Sequence, residues 1–195
     1  DLSALSIGNT DERYQINDYL SLNHLKKLTE FYISGGSNFK GEDISELFNI
    51  NILFINYCSI GNNDLKTIGT FNNLVEVNLD NNNISDISAL GGCNKIKKLS
   101  ICYNSLKDID VITKLPGLRY LYVFDNQISD ISPLKSCEKL KWVALSDNNI
   151  KDITPLYSLD APEYINLSGN PLKQSQIDQL RKHFPDCEVD FDDTF

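Results

Sequence analysis

The sequence reads LVEVNLDNNNI over residues 74–84, IKKLSICYNSL over 96–106, LRYLYVFDNQI over 118–128, LKWVALSDNNI over 140–150 and PEYINLSGNPL over 162–172. These five segments follow one another at intervals of 22 residues. Each carries an asparagine at the same place, namely Asn82, Asn104, Asn126, Asn148 and Asn170. A fixed period of this kind means that one structural unit is repeated, so the unit decides most of the fold.

The shared pattern, L-x-x-L-x-L-x-x-N-x-L, is typical of a leucine-rich-repeat solenoid. We therefore predict an α/β, right-handed curved solenoid with a parallel sheet on its concave side, 3₁₀ or irregular segments on its convex side, and a C-terminal helical cap. We assign residues 1–195 to a single leucine-rich-repeat domain, with about eight coils over 1–172 and the cap over 173–195. The broad concave face of such a fold favours recognition over catalysis.

Within each coil the first apolar residue is position 1, and positions 1, 4 and 6 are expected to fill the core. The clear coil starts are Leu2, Leu28, Leu74, Ile96, Leu118, Leu140 and Pro162. For the third coil we prefer a start at Ile52, which places Ile55 and Tyr57 in the core. A start at Leu53 fits nearly as well, so side-chain directions over 50–65 stay open. The first coil carries an insertion around residues 9–15.

The repeated polar residues have structural roles. The backbone N–H and C=O groups at the sharp turn after each strand have no partner in the neighbouring strand. A buried asparagine side chain can satisfy both kinds of group, because its amide has an acceptor oxygen and two donor hydrogens. We therefore predict a ladder of asparagines. The regular coils continue as I-x-D-I-x-x-L, which favours a tight 3₁₀ return. The recurring aspartates are Asp86, Asp108, Asp130 and Asp152. We expect them to cap these segments; a ladder of bound cations is the alternative.

The carboxyl end departs from the repeat. A capping box at residues 175–178 predicts a helix whose apolar face carries Ile177, Leu180 and Phe184. Residues 187–191 predict a final short strand. At the amino end no comparable cap is recognisable, so we expect either a preceding cap or an insertion that folds back after Ile7.

Composition narrows the classes of partner. The net charge is −9 and the pI about 4.6, which disfavours binding to nucleic acids or anionic membrane surfaces. No apolar run approaches the roughly 18 residues of a membrane span. No signal peptide is visible, but the chain begins at Asp1 and has no Met, so this says little about its compartment.

Cysteines two coils apart would be about 9–10 Å from each other, too far for a disulfide. Without C-x-x-C or paired histidines, we expect no metal site and no cofactor.

The concave side carries the candidate binding residues. Strand side chains alternate, so positions 3 and 5 point away from the core and positions 7 and 8 follow on the same rim. Tyr120, Trp142 and Tyr164 then form one column with a spacing of about 4.8 Å. The predicted partner-binding residues are Phe54, Tyr103, Tyr120, Tyr122, Phe124, Asp125, Trp142, Asp147 and Tyr164. Tyrosine and tryptophan dominate binding hot spots, and Asp125 and Asp147 suit a basic partner. The alternative is that the rings stack only to strengthen the sheet.

The motif D-I-S-P-L at residues 130–134, with D-I-T-P-L at 152–156, resembles the internalin-type leucine-rich repeats of bacterial surface proteins. It is also similar to a eukaryotic phosphatase-regulatory subfamily with the same repeat length. The resemblance covers most of residues 1–172. It implies a binding scaffold, which engages host-cell receptors in the first family and a phosphatase subunit in the second.

We therefore expect a monomeric, non-catalytic module that binds a protein or peptide and belongs to an extracellular or cell-surface protein of bacterial origin. One alternative is a cytoplasmic regulatory subunit that docks on an enzyme. Another is a carbohydrate-binding or glycan-acting protein that uses the rings as sugar platforms. His24 and His183 lie off the concave columns, so no catalytic triad is predicted.

Overall fold

The computed structural model describes residues 2–8, 19–36 and 38–192. Their strands form a nine-stranded parallel sheet in which each strand pairs with the next one in the chain. The strands are β1 (Ala4–Gly8), β2 (Glu30–Ser34), β3 (Ile52–Asn56), β4 (Glu76–Asn78), β5 (Lys98–Ser100), β6 (Tyr120–Tyr122), β7 (Trp142–Ala144), β8 (Tyr164–Asn166) and β9 (Glu188–Asp190). The sheet lines the concave side of a leucine-rich-repeat solenoid, as predicted.

Short helical segments return the chain along the convex side. The 3₁₀ segments are Leu20–His24, Gly41–Ile44, Ser88–Gly92, Asp110–Lys114, Ser132–Ser136 and Thr154–Ser158. The third coil instead returns through α1 (Asn62–Ile68), and α2 (Gln174–His183) follows the last regular coil. In the described part of the chain, no helix is long and apolar enough to cross a membrane.

The core lies between the sheet and the convex segments. In the sixth coil, for example, the strand side contributes Leu118, Leu121 and Val123, all fully buried. Ile128 and Leu134 close the same layer from the convex side. Each coil repeats this layer in register, so its apolar residues pack against those of the coils above and below it. The repeat therefore builds one continuous core rather than separate clusters.

The predicted register of the third coil is wrong. Leu53 pairs with Val77 and Phe31, so it occupies position 4 and the coil begins at Ile50 rather than at Ile52 or Leu53. Tyr57, predicted to be in the core, is 63% exposed. The next coil begins at Leu74, 24 residues later instead of 22. An α-helix rises only about 1.5 Å per residue against about 2.0 Å for a 3₁₀ helix, so α1 needs two more residues for the same distance.

The asparagine ladder is confirmed. Asn148 illustrates it: its amide Nδ2 donates to the carbonyls of Val123, Leu145 and Ser146 at 3.0–3.1 Å, and its Oδ1 accepts from the backbone N–H of Ile128 at 2.9 Å. Each amide therefore closes the turn of its own coil and also holds the preceding coil. The other four asparagines make equivalent bonds. In the third coil Cys58 occupies the asparagine position and is buried.

The recurring aspartates act as caps, as expected. Asp86 Oδ1 accepts a 2.8 Å hydrogen bond from the backbone N–H of Ser88, the first residue of the 3₁₀ segment. The corresponding aspartates of the next three coils accept the same bond. These bonds lower the pKa of Asp86 and of Asp152. Since each side chain bonds within its own coil, the series needs no cation between coils.

The five cysteines are free thiols. Cys93 and Cys137 occupy the same position in their coils and are buried, as predicted for small apolar residues. Burial raises the pKa of each of these thiols to about 11. Cys58 and Cys102, in contrast, do not occupy equivalent positions, because the longer third coil shifts the register between them.

The C-terminal cap has the predicted helix and strand with a different helix start. Helix α2 begins at Gln174, and its capping bond runs from the backbone N–H of Lys173 to Gln176 Oε1 at 2.9 Å, so the capping box predicted at 175–178 is wrong. Ile177 and Leu180 are fully buried against the last coil. Strand β9 then adds to the sheet in parallel beside β8. The predicted insertion around residues 9–15 lies outside the described residues.

Candidate functional site

The concave side of the sheet presents its residues in straight columns. Strand pairing places Tyr120 opposite Trp142 and Trp142 opposite Tyr164, as the sequence predicts for position 3. Tyr122 follows Tyr120 on the same face in position 5. Phe124 and Tyr103 lie beyond the strand ends. We call these six residues, from Tyr103 to Tyr164, the aromatic patch.

Trp142 and Tyr164 are the most closely associated rings of the patch. Their centroids are 4.2 Å apart at an interplanar angle of 25°, which is a stacked pair. The Tyr164 hydroxyl donates to Asp190 Oδ2 at 2.6 Å. Burial and this bond raise the pKa of Tyr164. The stack is therefore tied to the cap strand through the Tyr164 hydroxyl.

A second ring pair flanks the stack. Tyr103 and Phe124 meet edge to face, with centroids 5.2 Å apart. Tyr103 is nevertheless 49% exposed, and Tyr120 is exposed without a ring partner among the described residues. Rings that only strengthened the sheet would be expected to cover one another. Tyr103 and Tyr120 instead remain open to solvent, while the other four rings of the patch are half-buried.

A depression of about 410 Å³ lies between these rings. Seven of the nine residues predicted to bind a partner line it, all except Phe54 and Tyr120. Its remaining lining residues are Ala144, Ser146 and Asn166. Ala144 and Ser146 are the small concave residues of the seventh coil, and both are buried. The larger side chains of the sixth and eighth coils therefore form walls around a low floor, and we call this feature the coil-7 depression.

The coil-7 depression is acidic at one end. Asp125 and Asp147 both line it, and within the described residues neither forms a salt bridge. Burial, and to a lesser extent the nearby Asp147 carboxylate, raise the pKa of Asp125. No Lys, Arg or His lines the depression. The lining of the depression therefore contains two carboxylates and no cation, while Arg181 lines an adjoining depression that shares Ser146 and Asp147.

Asp125 and Asp147 belong to a column of residues with left-handed backbone, which was not predicted from the sequence. Position 8 has positive φ in seven successive coils: Gly35, Tyr57, Asn81, Tyr103, Asp125, Asp147 and Gly169. Gly, Asn and Asp tolerate this conformation, and their recurrence at position 8 was the available signal. Tyr57 and Tyr103 do not tolerate it easily, since a bulky residue at φ near 55° is strained. Both strained tyrosines are exposed.

A smaller ring pair lies toward the amino end. Phe54 is on the concave face as predicted, but in position 5 beside Asn78. It meets Tyr32 edge to face with centroids 5.0 Å apart. Tyr32 was not among the predicted binding residues, although its position in the second coil already places it on the concave face. The two rings are separated from the Tyr120, Trp142 and Tyr164 column by the fourth and fifth coils, whose strands β4 and β5 carry polar residues on the concave face.

Those two coils form a hydrogen-bonded polar centre. Glu76 and Lys98 form a salt bridge of 2.6 Å, which raises the pKa of Lys98. Asp80 Oδ1 accepts from the Ser100 hydroxyl and from the backbone N–H of Cys102 at 2.8 and 2.7 Å. Cys102 is at position 7, which was predicted to lie on the concave rim, but its side chain is only 1% exposed and its Sγ contacts the Ser100 hydroxyl of this network. This centre has few free polar groups to offer a ligand.

The described residues contain no cluster of three His, Cys, Asp or Glu side chains that could hold a metal ion. His24 and His183 are both exposed, at the ends of a 3₁₀ segment and of α2. His183 contacts the rings of Tyr157 and Phe184 rather than any concave residue. Neither histidine lies near the aromatic patch.

Comparisons with known proteins agree with this architecture. Residues 94–136 match the family described as Leucine Rich repeats (2 copies), and residues 73–93 match the family described as Leucine Rich Repeat. No curated protein matches the sequence significantly. Among solved structures, internalin C2 from Listeria monocytogenes is 32% identical with a TM-score of 0.71, covering 86% of this chain and 71% of that one.

Two further structures share the fold at lower identity. The internalin inlF from Listeria monocytogenes is 20% identical with a TM-score of 0.61, covering 92% of this chain and 67% of that one. A TDR receptor is 16% identical with a TM-score of 0.73, covering 97% of this chain and 34% of that one. Leucine-rich-repeat proteins are commonly protein-binding modules and typically non-catalytic. The repeat, the parallel sheet and the likeness to internalin C2 together show that the chain belongs to the leucine-rich-repeat proteins with internalin-type repeats.

Proposed function

We propose that this chain is a non-catalytic module that recognises a protein or peptide partner through the aromatic patch. The observation that carries this proposal is the patch itself: rings of four successive coils lie close together on the concave side of the sheet. Tyr and Trp side chains bury a large area with little loss of rotamer entropy, which makes such rings effective binding anchors. The acidic end of the coil-7 depression favours a basic partner.

Backbone strain supports the same proposal. Tyr103 has φ of 53°, where glycine or asparagine would be more stable, and its ring is exposed. Strain of this kind is found at functional sites, where the side chain is needed more than the stability it removes. Tyr103 borders the coil-7 depression, so its strain falls where a partner would dock.

A random peptide display library tests the proposal without a known partner. Peptides selected on the wild-type chain should lose binding to the Tyr120→Ala/Trp142→Ala/Tyr164→Ala variant by at least about tenfold, since hot-spot rings each contribute that much or more. The matched control is Phe48→Ala, because Phe48 is 57% exposed but precedes β3 and lies outside the concave columns.

Circular dichroism and thermal unfolding must show that each variant is folded. Selected peptides that bind the folded triple variant as well as they bind the wild type would contradict the proposal. Binding on a carbohydrate array, with no peptide selected, would replace it by a lectin-like function.

We further propose that the module belongs to an extracellular or cell-surface protein and acts as a monomer. The likeness to internalin C2 supports the first point. The coding sequence upstream of Asp1 tests it, because a signal peptide or lipobox there supports export. A precursor without either would favour a cytoplasmic regulatory subunit. Sedimentation at several concentrations tests the monomer.

A further inference from the structure

The coil-7 depression combines features that point to one kind of ligand group. Its floor is made of the small residues Ala144 and Ser146, while Tyr122 and Phe124 stand on the sixth coil beside it. The sixth and eighth coils are separated by two strand spacings, about 10 Å between backbones. The side chains of these two coils occupy part of this separation of about 10 Å. The space that remains between those side chains can hold one flat group.

Ser146 adds an independent observation. It is only 8% exposed and it lines the depression, yet its hydroxyl has no hydrogen-bond partner within the described residues. The similarly buried Ser100 differs, because its hydroxyl donates to Asp80 Oδ1 at 2.8 Å. The Ser146 residue is buried as a whole, but its Oγ is not among the fully buried side-chain atoms of the described residues and can be reached from the depression. The Ser146 hydroxyl is therefore available to a ligand that enters the depression.

The charges of the lining define the ligand further. Asp125 and Asp147 supply two carboxylates, while the lining residues include no cation. Gly169, with φ of 67°, leaves room for the Asp147 carboxylate, because a Cβ at this position would clash with Asp147 Oδ1. A positively charged group would relieve the repulsion between the two acids. A flat cation would in addition stack on the surrounding rings.

We infer that the coil-7 depression is a pocket for an arginine side chain of the partner. This inference rests on the proposed function and names the group that the aromatic patch selects. The guanidinium is planar, always charged, stacks on aromatic faces and donates to two carboxylates in a fork. A lysine ammonium has the charge without the plane. The acceptors would be Asp125, Asp147 and the Ser146 hydroxyl, and the rings of Tyr122, Phe124 and Trp142 would enclose the group.

The protein carries its own reporter for this pocket, since Trp142 is the only tryptophan of the chain. Titration with N-acetyl-argininamide should change the Trp142 fluorescence saturably. N-acetyl-citrullinamide has nearly the same shape without the charge, and N-acetyl-lysinamide has the charge without the planar group. Both should bind at least about tenfold more weakly, because each lacks one of the two features that the pocket provides.

Two variants locate the binding. The Asp125→Asn/Asp147→Asn variant should weaken N-acetyl-argininamide binding at least about tenfold, as expected when charge-assisted hydrogen bonds are lost. Asparagine tolerates the left-handed backbone, so this variant should fold. Asp160→Asn, on an exposed aspartate outside the depression, is the matched control. Ser146→Leu fills the floor and should also abolish binding.

The outcomes separate this inference from the proposed function. No saturable change with N-acetyl-argininamide, or equal binding of the citrulline or lysine probe, overturns the arginine pocket. If display-selected peptides still depend on Tyr120, Trp142 and Tyr164 in that case, the proposed function stands without it. Tighter binding of the arginine probe that is lost in the double Asn variant but kept in Asp160→Asn supports the pocket.

Discussion

The Tyr164 hydroxyl donates a 2.6 Å hydrogen bond to Asp190 on the last strand. We expect Tyr164→Phe to lower the free energy of unfolding by about 1 kcal/mol, the usual contribution of a partly buried hydrogen bond. The stack on Trp142 should remain, because the ring itself is kept. Urea unfolding measures the change. Tyr120→Phe removes a hydroxyl that has no hydrogen bond within the described residues, so a similar loss there would contradict the assignment.

The asparagine ladder makes a stronger prediction. Asn148→Ala removes an amide that satisfies three backbone carbonyls and one N–H. We expect a loss of about 2–4 kcal/mol in urea unfolding, because buried backbone groups lose their partners. Asn149→Ala is the matched control, since its side chain is exposed next to Asn148 in the chain. Equal effects of the two substitutions would show that the ladder contributes little.

The left-handed tyrosine of the third coil should be replaceable with a gain in stability. Tyr57 has φ of 55° and makes no ring contact within the described residues. Tyr57→Asn should raise the free energy of unfolding by about 0.5–1.5 kcal/mol, because asparagine tolerates this conformation better. Thermal and urea unfolding provide the measurement. Tyr57→Phe keeps the strain and should leave stability nearly unchanged; a gain of equal size with Phe would refute the backbone explanation.

Asp125 should reduce stability at neutral pH. Its pKa is raised in the folded state, so folding disfavours the carboxylate. Stability then increases as the pH falls through the raised pKa toward the unfolded value near 3.9. We expect Asp125→Asn to be more stable than the wild type by about 0.2–1 kcal/mol at pH 7. The difference should narrow toward pH 4.

Urea unfolding at a series of pH values tests this prediction, with Asp160→Asn as the control for a change in net charge. A difference between Asp125→Asn and the wild type that stays constant from pH 7 to 4 would show that titration of Asp125 is not the cause.

The repeat made most of the fold predictable. Apolar positions, ladder asparagines and capping aspartates each follow from a residue type at a fixed offset, and local chemistry alone decides their roles. The third coil could not be placed in this way. Its return forms an α-helix, which makes the coil two residues longer, and the predicted start at Ile52 therefore placed Tyr57 in the core.

The candidate site was predictable only in part. Alternation along the strands was enough to put Trp142 and Tyr164 in one column. It could not show that Ala144 and Ser146 would lie low enough to leave a depression, since that depends on the height of the neighbouring side chains. The column of residues with left-handed backbone at position 8 was also not predicted, although Gly169 and Asn81 are residue types that favour this conformation.

The backward reach of the asparagine amides has a consequence for how the solenoid opens. Each amide holds the coil before it, and the bracing begins with Asn82, which binds the third coil. The second and third coils have Gly36 and Cys58 at this place, so the first two coils are not tied in the same manner. Hydrogen exchange should therefore be fastest in β1 and β2. The aromatic patch, the proposed binding surface, lies toward the other end of the solenoid, where the ladder asparagines hold the coils together.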